Sequence, residues 1–223
     1  MSSRDAILAR VRRSIGSSGA DLTRRATVID RLTRRPKSVI PARGQLPPDE
    51  RTALFCAKAE AVFASVKRVQ SATEVPEAVV SYLRSNNLPQ AVRMGADGRL
   101  SALPWNTQRQ LIVAVGPSAG DDLVCVSYAD AGVAETGTAI LTSGPHNPTT
   151  LNFLPDHHLI VVHAGTIAGD YETVWAQLRD RFGVGVLPRT VNMITGPSRS
   201  ADIEQTLLLG AHGPRSLHLI VVG

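Results

Sequence analysis

From about residue 48 onward, stretches with helical spacing of apolar residues alternate with short apolar runs. The helical spacing predicts helices at residues 49–64, 75–84 and 171–182. Runs rich in valine, isoleucine and leucine predict buried strands at residues 66–70, 91–94, 111–115, 123–127, 138–141, 159–162, 191–194 and 217–222. Residues 95–105 are predicted as a loop or hairpin. This alternation favours an α/β fold with an open, mostly parallel sheet covered by helices on both faces.

Residues 192–214, NMITGPSRSADIEQTLLLGAHGP, combine a strand end, a turn and an amphipathic segment. The turn formers at residues 195–198 end the strand. The apolar positions within residues 201–209 fall mostly on one helical face, and Gly210 is placed to stop a helix there. Asp202 and Glu204 would then lie in the first turn of that helix, where the helix dipole favours carboxylates.

This turn-to-helix junction has two interpretations. Backbone N–H groups at a helix N-terminus bind anions, Gly196 lets a ligand approach the backbone, and Ser198 and Arg199 add polar contacts. Alternatively, Ser198 or Ser200 simply caps the helix without any ligand. Neither serine is followed three residues later by Glu or Gln, so no capping box distinguishes the two serines. Both interpretations remain open.

A second polar cluster, DAGVAETGT at residues 130–138, leads into a predicted strand. In open α/β sheets, binding sites form from loops at strand ends, so Glu135, Thr136 and Thr138 are candidate site residues. Glu135 is the candidate catalytic residue, as a general base or nucleophile; the alternative is a structural carboxylate that accepts from loop amides. His212, where the chain returns toward the final strand, is a further candidate ligand-binding residue, or a polar residue satisfied by backbone.

Cysteine and histidine spacing argues against a metal site in this chain. Cys56 and Cys125 are isolated, and neither belongs to a Cys-x-x-Cys or Cys/His set. His157 and His158 are adjacent, so they point to opposite sides of an extended chain. The absence of a disulfide framework fits a reducing compartment, and no apolar run approaches membrane-spanning length. We therefore expect a cytoplasmic protein that binds no metal.

The positive charge is concentrated at the N-terminus. Residues 1–43 contain eleven Lys and Arg against three Asp, a net charge of +8, whereas the rest of the chain carries 13 basic and 16 acidic residues, a net charge of −3. Amphipathic segments at residues 3–15 and 22–32 predict a helical arm, so we divide the chain into an Arg-rich arm and linker at residues 1–45 and an α/β domain at residues 46–223.

This arm has several candidate partners. Arginine-rich helices contact nucleic acid, anionic membranes or acidic proteins, or they pack on their own domain or on a second copy of the chain. Nucleic acid is disfavoured, because no aromatic residue that could stack on bases precedes Phe55.

Four motifs occur in an order typical of one known family: ADAGVAETGTAIL at residues 129–141, LPDHHLIVV at residues 154–162, TGPSRSADIE at residues 195–204 and GAHGPRSLHLIVV at residues 210–222. In this combination the chain resembles the lactate utilization protein C family, the LutC/YkgG group of LUD domains. Ser200 stands where that family usually has threonine, and residues 144–150 lack an arginine expected there.

The resemblance implies a fold like that of the sugar-phosphate isomerase, CoA-transferase and formyltetrahydrofolate cyclo-ligase group. It also implies an accessory subunit that supports oxidation of L-lactate to pyruvate, together with partner subunits that carry iron–sulfur clusters. This chain itself is then expected to bind no cofactor. The resemblance transfers no catalytic residue.

Two other functions remain open beside the accessory subunit. One is a free-standing enzyme or sensor that binds an anionic metabolite, such as a nucleotide, a CoA ester or a carboxylate, at the turn formed by residues 195–204. Glu135 would then act chemically, by analogy of fold with the glutamate nucleophile of the CoA-transferase group. The other is a nucleic-acid binder that uses the Arg-rich arm.

Overall fold

The computed structural model describes residues 2–16, 20–183, 185–201 and 207–223. The chain divides into two compact units, Met1–Ile40 and Pro41–Gly223. Across the described ranges the α-helices are α1 (Ser3–Ser14), α2 (Leu22–Arg34), α3 (Pro48–Ala61), α4 (Val75–Ser85), α5 (Gly98–Ser101), α6 (Thr149–Phe153) and α7 (Tyr171–Phe182).

The strands described by the structure are short, at two to seven residues each. They are β1 (Ser65–Val69), β2 (Ala91–Met94), β3 (Ile112–Val115), β4 (Val124–Tyr128), β5 (Ala131–Val133), β6 (Thr138–Thr142), β7 (His157–His163), β8 (Ile167–Ala168), β9 (Val191–Ile194), β10 (Arg199–Ala201), β11 (Leu207–Leu209) and β12 (Ser216–Val222).

The N-terminal unit consists of the two helices α1 and α2. Ser2 and Asp5 form a reciprocal capping box at the start of α1, and the Asp21 carboxylate accepts from the Arg24 N–H at the start of α2. α2 is capped at its C-terminus by Arg35, which adopts the left-handed conformation with φ 46°. Both helices fall on the amphipathic segments predicted for the arm.

Six parallel strands form the main sheet, in the order β1-β12-β7-β4-β2-β3. In the central strands β7 and β12, nearly every residue is buried, as expected for a sheet covered on both faces. The prediction of an α/β fold with a mostly parallel sheet is therefore confirmed.

Each face of this sheet packs against its own hydrophobic core. Leu159 and Val161 point to one face, where they join Val79 and Leu83 of α4. The alternate residues of β7 point to the opposite face, where they join Phe55 of α3 and part of a second sheet. The helices thus cover both faces, as predicted, and the second sheet adds to the cover on one of them.

The second sheet has four short strands in the order β8-β5-β6-β9. β5 and β8 were not predicted from the sequence, because strands of three and two residues are too short to show an alternating pattern. Gly137, in the turn between β5 and β6, has φ +68°, and a Cβ there would collide with the backbone of Lys58 and Ala59 in α3. The turn between β5 and β6 therefore packs directly against α3. The last strand of this sheet along the chain, β9, ends at Ile194 and is followed by residues 195–199.

The prediction of a helix at residues 201–209 is wrong at both ends. Ala201 lies in β10 and pairs with Leu207 of β11, so the described part forms an antiparallel hairpin. The run Leu207–Leu209 is apolar at three consecutive positions, a pattern that does not separate a buried strand from a helix. Asp202 and Glu204, predicted in a first helical turn, lie outside the described residues. Arg199, predicted in a turn, is instead the first residue of the strand β10.

Residues 95–105 also differ from the predicted loop or hairpin. They contain α5, which is capped by the Asp97 carboxylate, and lead into a 3₁₀ turn that starts at Trp105. The indole Nε1 of Trp105 donates to the carbonyl of Leu100 at 2.7 Å. Helical turns of this length are too short to produce an apolar stripe in the sequence.

An ion-pair network with buried carboxylates and partly exposed arginines lies at the carboxyl end of β4. The Asp130 carboxylate accepts from the backbone N–H and hydroxyl of Thr142 at 2.9 and 2.6 Å, and from Arg181 at 2.7 Å. Arg99 reaches the same carboxylate at 3.3 Å and pairs with Asp97 at 2.7 Å. Burial acts to raise the pKa of Asp130, but the hydrogen bonds from Thr142 and Arg181 outweigh it and lower that pKa. The two carboxylates of this network, Asp97 and Asp130, are balanced in charge by Arg99 and Arg181.

Candidate functional site

Residues 195–198 connect β9 to β10 and, together with Arg199 at the start of β10, are called the 195–199 turn below. This turn lies between two clefts. Pro197 and Leu217 line both clefts, so the two are neighbours that share part of a wall. The turn was predicted as a single anion cradle. The structure instead places Gly196 and Ser198 at one cleft and Arg199 at the other.

The first cleft, called the amide cleft, has a volume of about 260 Å³. Its described polar lining residues are Asn152, His158, Thr195, Ser198 and His212. The remaining described lining residues are apolar or glycine and comprise Phe153, Met193, Ile194, Gly196, Pro197, Gly213, Pro214 and Leu217.

Two of the polar residues in the amide cleft are almost completely buried. Asn152 and His158 are each 1% exposed. The His158 Nε2 atom shares a hydrogen bond of 3.0 Å with Ser127 Oγ, and desolvation lowers the pKa of His158 to about 3. The imidazole is therefore neutral at physiological pH.

The second cleft, called the cationic cleft, has a volume of about 430 Å³. Lys67, Arg199 and Arg215 all line it. Arg215 also pairs with Asp156 at 3.3 Å, a pair that is largely exposed and therefore weak. No acidic side chain occurs among the described lining residues, so this cleft has a net positive charge that suits an anionic ligand.

Arg199 is held by stacking. Its guanidinium lies over the Phe63 ring, with 3.4 Å between Cζ and the ring centroid. Phe63 has φ +70°, in the left-handed region that non-glycine residues seldom adopt. This unusual backbone conformation accompanies the placement of the Phe63 ring beneath the arginine at the rim of the cationic cleft.

A serine, a histidine and a tyrosine form the wall of the cationic cleft at the amino ends of β1 and β12. Ser65 Oγ and His218 Nδ1 share a hydrogen bond of 2.7 Å, as expected for residues in register on adjacent strands. The Tyr82 ring packs on the His218 ring with 4.5 Å between centroids. Burial, and then the nearby Lys67 charge, lower the pKa of His218 to about 4, so this ring is also neutral at physiological pH.

Gly196 has a structural reason for its position. Its φ is +75°, and an added Cβ would collide with the Val62 carbonyl oxygen. The prediction that Gly196 lets a ligand approach the backbone therefore has a competing explanation, because the 195–199 turn packs at this point against the chain that follows α3.

The Ser198 hydroxyl is linked to the backbone of His212. The Ser198 hydroxyl accepts from the His212 N–H at 3.3 Å, the Ser198 N–H donates to the Pro214 carbonyl at 2.8 Å, and the Gly210 N–H donates to the Ser198 carbonyl at 3.1 Å. These bonds fasten the 195–199 turn to residues 210–214. The structure thus brings together two predicted site residues that are 14 positions apart.

The site residues predicted from the polar cluster at 130–138 have two different sets of contacts in the structure. Glu135 is buried, with a side chain 6% exposed, and pairs with Arg43 at 3.3 Å. Glu135 is not among the described lining residues of either cleft, and the contact it makes is an ion pair with Arg43 rather than the predicted bond from a loop amide. By contrast, the Thr138 hydroxyl shares a hydrogen bond of 2.6 Å with Thr195 in the 195–199 turn, and Thr136 joins Thr138 at 2.7 Å. Thr138 is therefore bonded directly to the 195–199 turn, and Thr136 is connected to the turn through Thr138.

Sequence reasoning missed several residues of the two clefts. Lys67, Arg215 and His218 of the cationic cleft, and Asn152 and His158 of the amide cleft, were not proposed as site residues. For His158 and His218 the available signal was a polar residue within an apolar strand, as in HHLIVVH and SLHLIVV. That signal shows that a buried polar group needs a partner, but it does not show what the partner is.

The described part of the chain contains neither a metal-ligand cluster nor a membrane-spanning helix. Within it, no group of three or more His, Cys, Asp and Glu side chains is placed to hold a metal ion. No helix of residues 2–16, 20–183, 185–201 and 207–223 is both long and apolar enough to cross a membrane.

Comparison with known proteins gives several matches. Lactate utilization protein C of Geobacillus sp. (strain WCH70) is 37% identical over 100 residues, which are 44% of this chain and 42% of that protein. Lactate utilization protein C of Shouchella clausii (strain KSM-K16) is 34% identical over 99 residues, 44% of this chain and 43% of that protein. The match thus spans less than half the length of these curated relatives.

A solved structure shares the fold. The crystal structure of a DUF162 family protein from Deinococcus radiodurans covers 80% of this chain and 99% of its own, with a TM-score of 0.56 and 24% sequence identity. Residues 52–222 of this chain match the LUD domain family. This match covers most of the chain and confirms the resemblance carried by the four motifs. The chain therefore belongs to the LUD domain family.

Proposed function

We propose that this chain is a subunit that supports oxidation of L-lactate to pyruvate in the cytoplasm, together with partner subunits that carry iron–sulfur clusters. The observation that carries this proposal is the sequence likeness to proteins named lactate utilization protein C. In this proposal the electrons from lactate pass to iron–sulfur clusters in the partner subunits, and this chain contributes surfaces that bind those subunits.

The arrangement of the four shared motifs supports the proposal, because they meet at one place in the fold. Thr138 of the first motif bonds Thr195 of the third. The Ser198 hydroxyl, in the third motif, accepts from His212 in the fourth. His158 of the second motif lies in register beside Leu217 of the fourth. Motifs that are far apart in the sequence therefore surround the 195–199 turn, as expected if the family shares a site there.

Copurification tests the partner claim. We expect the tagged full-length chain, isolated from its native host grown on L-lactate, to retain subunits that contain iron and acid-labile sulfide. A tagged, unrelated cytoplasmic protein from the same culture is the control. Recovery of this chain from lactate-grown cells without iron-containing partners would argue against the proposal.

A second candidate function, binding of an anionic metabolite as an enzyme or sensor, is favoured by the cationic cleft. Lys67, Arg199 and Arg215 converge on it, and cations that face a partly enclosed cleft attract carboxylates and phosphates. Ligands that match this charge are the anionic metabolites expected from the sequence, namely nucleotides, CoA esters and small carboxylates.

Lys67→Ala distinguishes this candidate from the accessory subunit. We expect the variant to weaken binding of ATP, coenzyme A or pyruvate by about tenfold, since it removes one close charge, worth about 1.4 kcal/mol. Arg68→Ala is the matched control, because Arg68 is the next residue of β1 and does not line the cleft. Calorimetric titration at low and high salt measures both variants. No binding of these ligands to the unmodified chain, or equal weakening in the two variants, would exclude the anion site.

A further inference from the structure

The amide cleft contains buried polar atoms that lack protein partners. Both polar atoms of the Asn152 amide, Nδ2 and Oδ1, and the Nδ1 atom of His158 make no hydrogen bond with the protein. Both residues are 1% exposed, and both line the cleft. A buried polar group without a partner destabilises a fold by about 1–3 kcal/mol. Two such residues beside one cleft are therefore an arrangement that a ligand would satisfy.

The described lining of this cleft limits the charge of that ligand. Lys, Arg, Asp and Glu are all missing from its described lining, and burial keeps His158 neutral at physiological pH. A carboxylate or phosphate seated here would lose its hydration without gaining a counter-charge. The neighbouring cationic cleft offers such groups a better place, so the amide cleft selects for an uncharged molecule.

The atoms at the cleft also limit the ligand's hydrogen-bonding pattern. The Asn152 amide atoms are buried in the unliganded chain, so a ligand must displace the side chains that cover them. The amide would then present one acceptor and a donor group side by side, which complements a group with an N–H next to a carbonyl. Phe153, Met193, Pro197 and Leu217 supply apolar surface for a ring. A volume of about 260 Å³ admits one or two fused rings.

We propose that the amide cleft is a binding site for an uncharged ring that carries a primary carboxamide or a cyclic lactam, with Asn152 and His158 reading its donor and acceptor. This inference does not depend on a role in lactate oxidation. It names a ligand class that differs from the anions suited to the cationic cleft.

Benzamide and benzoate test the charge and hydrogen-bonding requirements with rings of one shape. We expect benzamide to bind the full-length chain with a dissociation constant of about 1 mM, as is usual for so small a ligand, and benzoate to bind at least about tenfold more weakly. Chemical-shift changes in NMR titrations up to about 10 mM measure both constants. Failure of benzamide to bind in this range, or equal binding of benzoate, would overturn the proposal.

Asn152→Leu tests the named residue. This near-isosteric change removes the unpartnered amide, so we expect it to weaken benzamide binding by at least about tenfold while leaving the unliganded chain at least as stable. Asn86→Ala is the control, because Asn86 lines only the cationic cleft and should leave benzamide binding unchanged.

A second variant guards against misfolding of Asn152→Leu. Met193 is 39% exposed and lines the amide cleft, so Met193→Trp adds bulk at the rim without changing a buried polar group. It too should weaken benzamide binding. If benzamide binds both variants as tightly as the unmodified chain, the ligand lies elsewhere and the proposal is wrong.

Discussion

Replacement of Gly196 by alanine is expected to lower the free energy of unfolding by about 3 kcal/mol or more. Two effects add at this position. The residue has φ +75°, where a Cβ is unfavourable, and that Cβ would collide with the Val62 carbonyl oxygen, a backbone atom that cannot move without shifting the end of α3. The same shift would displace the 195–199 turn, so both clefts should lose their shape.

Gly185→Ala is the matched control for this prediction. Gly185 has φ +74°, nearly the same as Gly196, but an added Cβ there would meet no atom within 4 Å. This control should destabilise the chain by only about 1 kcal/mol, the conformational part of the effect. Urea unfolding of the two variants and the unmodified chain gives both differences. Equal destabilisation by the two substitutions would show that contact with Val62 does not hold the turn.

The alternation of helices and strands in the sequence was sufficient to predict the main sheet. β2 and β9 were predicted at their observed bounds, as was α7. α7 has a stripe of apolar residues, and β2 and β9 are short runs in which three of four residues are apolar, so local pattern and tertiary position agree. Two strands of the second sheet, β6 and β9, were predicted, whereas β5 and β8 escaped prediction because they are too short to show an alternating pattern.

The hairpin of β10 and β11 shows where local pattern fails. The apolar positions of residues 201–209 fit a helical face, but pairing between Arg199 and Leu209 gives the described ends a strand conformation. The predicted anion site depended on a helix that begins at Ala201, but Ala201 lies in the strand β10. The turn itself was predicted correctly from its glycine, proline and serine. Its residues Gly196, Ser198 and Arg199 lie beside the two clefts.

The rest of the candidate site could not be predicted because it depends on the order of strands in the sheet. Ser65 and His218 are 153 positions apart and meet only because β1 and β12 are neighbours. The burial that leaves the Asn152 amide and the Nδ1 atom of His158 without protein partners likewise arises from the packing of α6 and the sheet. A linear sequence shows residue types, but it does not show which loops share an edge.

Deletion of the gene from the native host tests the central claim, a role in L-lactate oxidation, most directly. We expect the deletion strain to lose growth on L-lactate as sole carbon source, to grow normally on glucose, and to recover growth on lactate when the intact chain is restored. Extracts of the strain should form little pyruvate from L-lactate. Growth on lactate at the parental rate, with undiminished lactate-dependent pyruvate formation in extracts, would contradict the account.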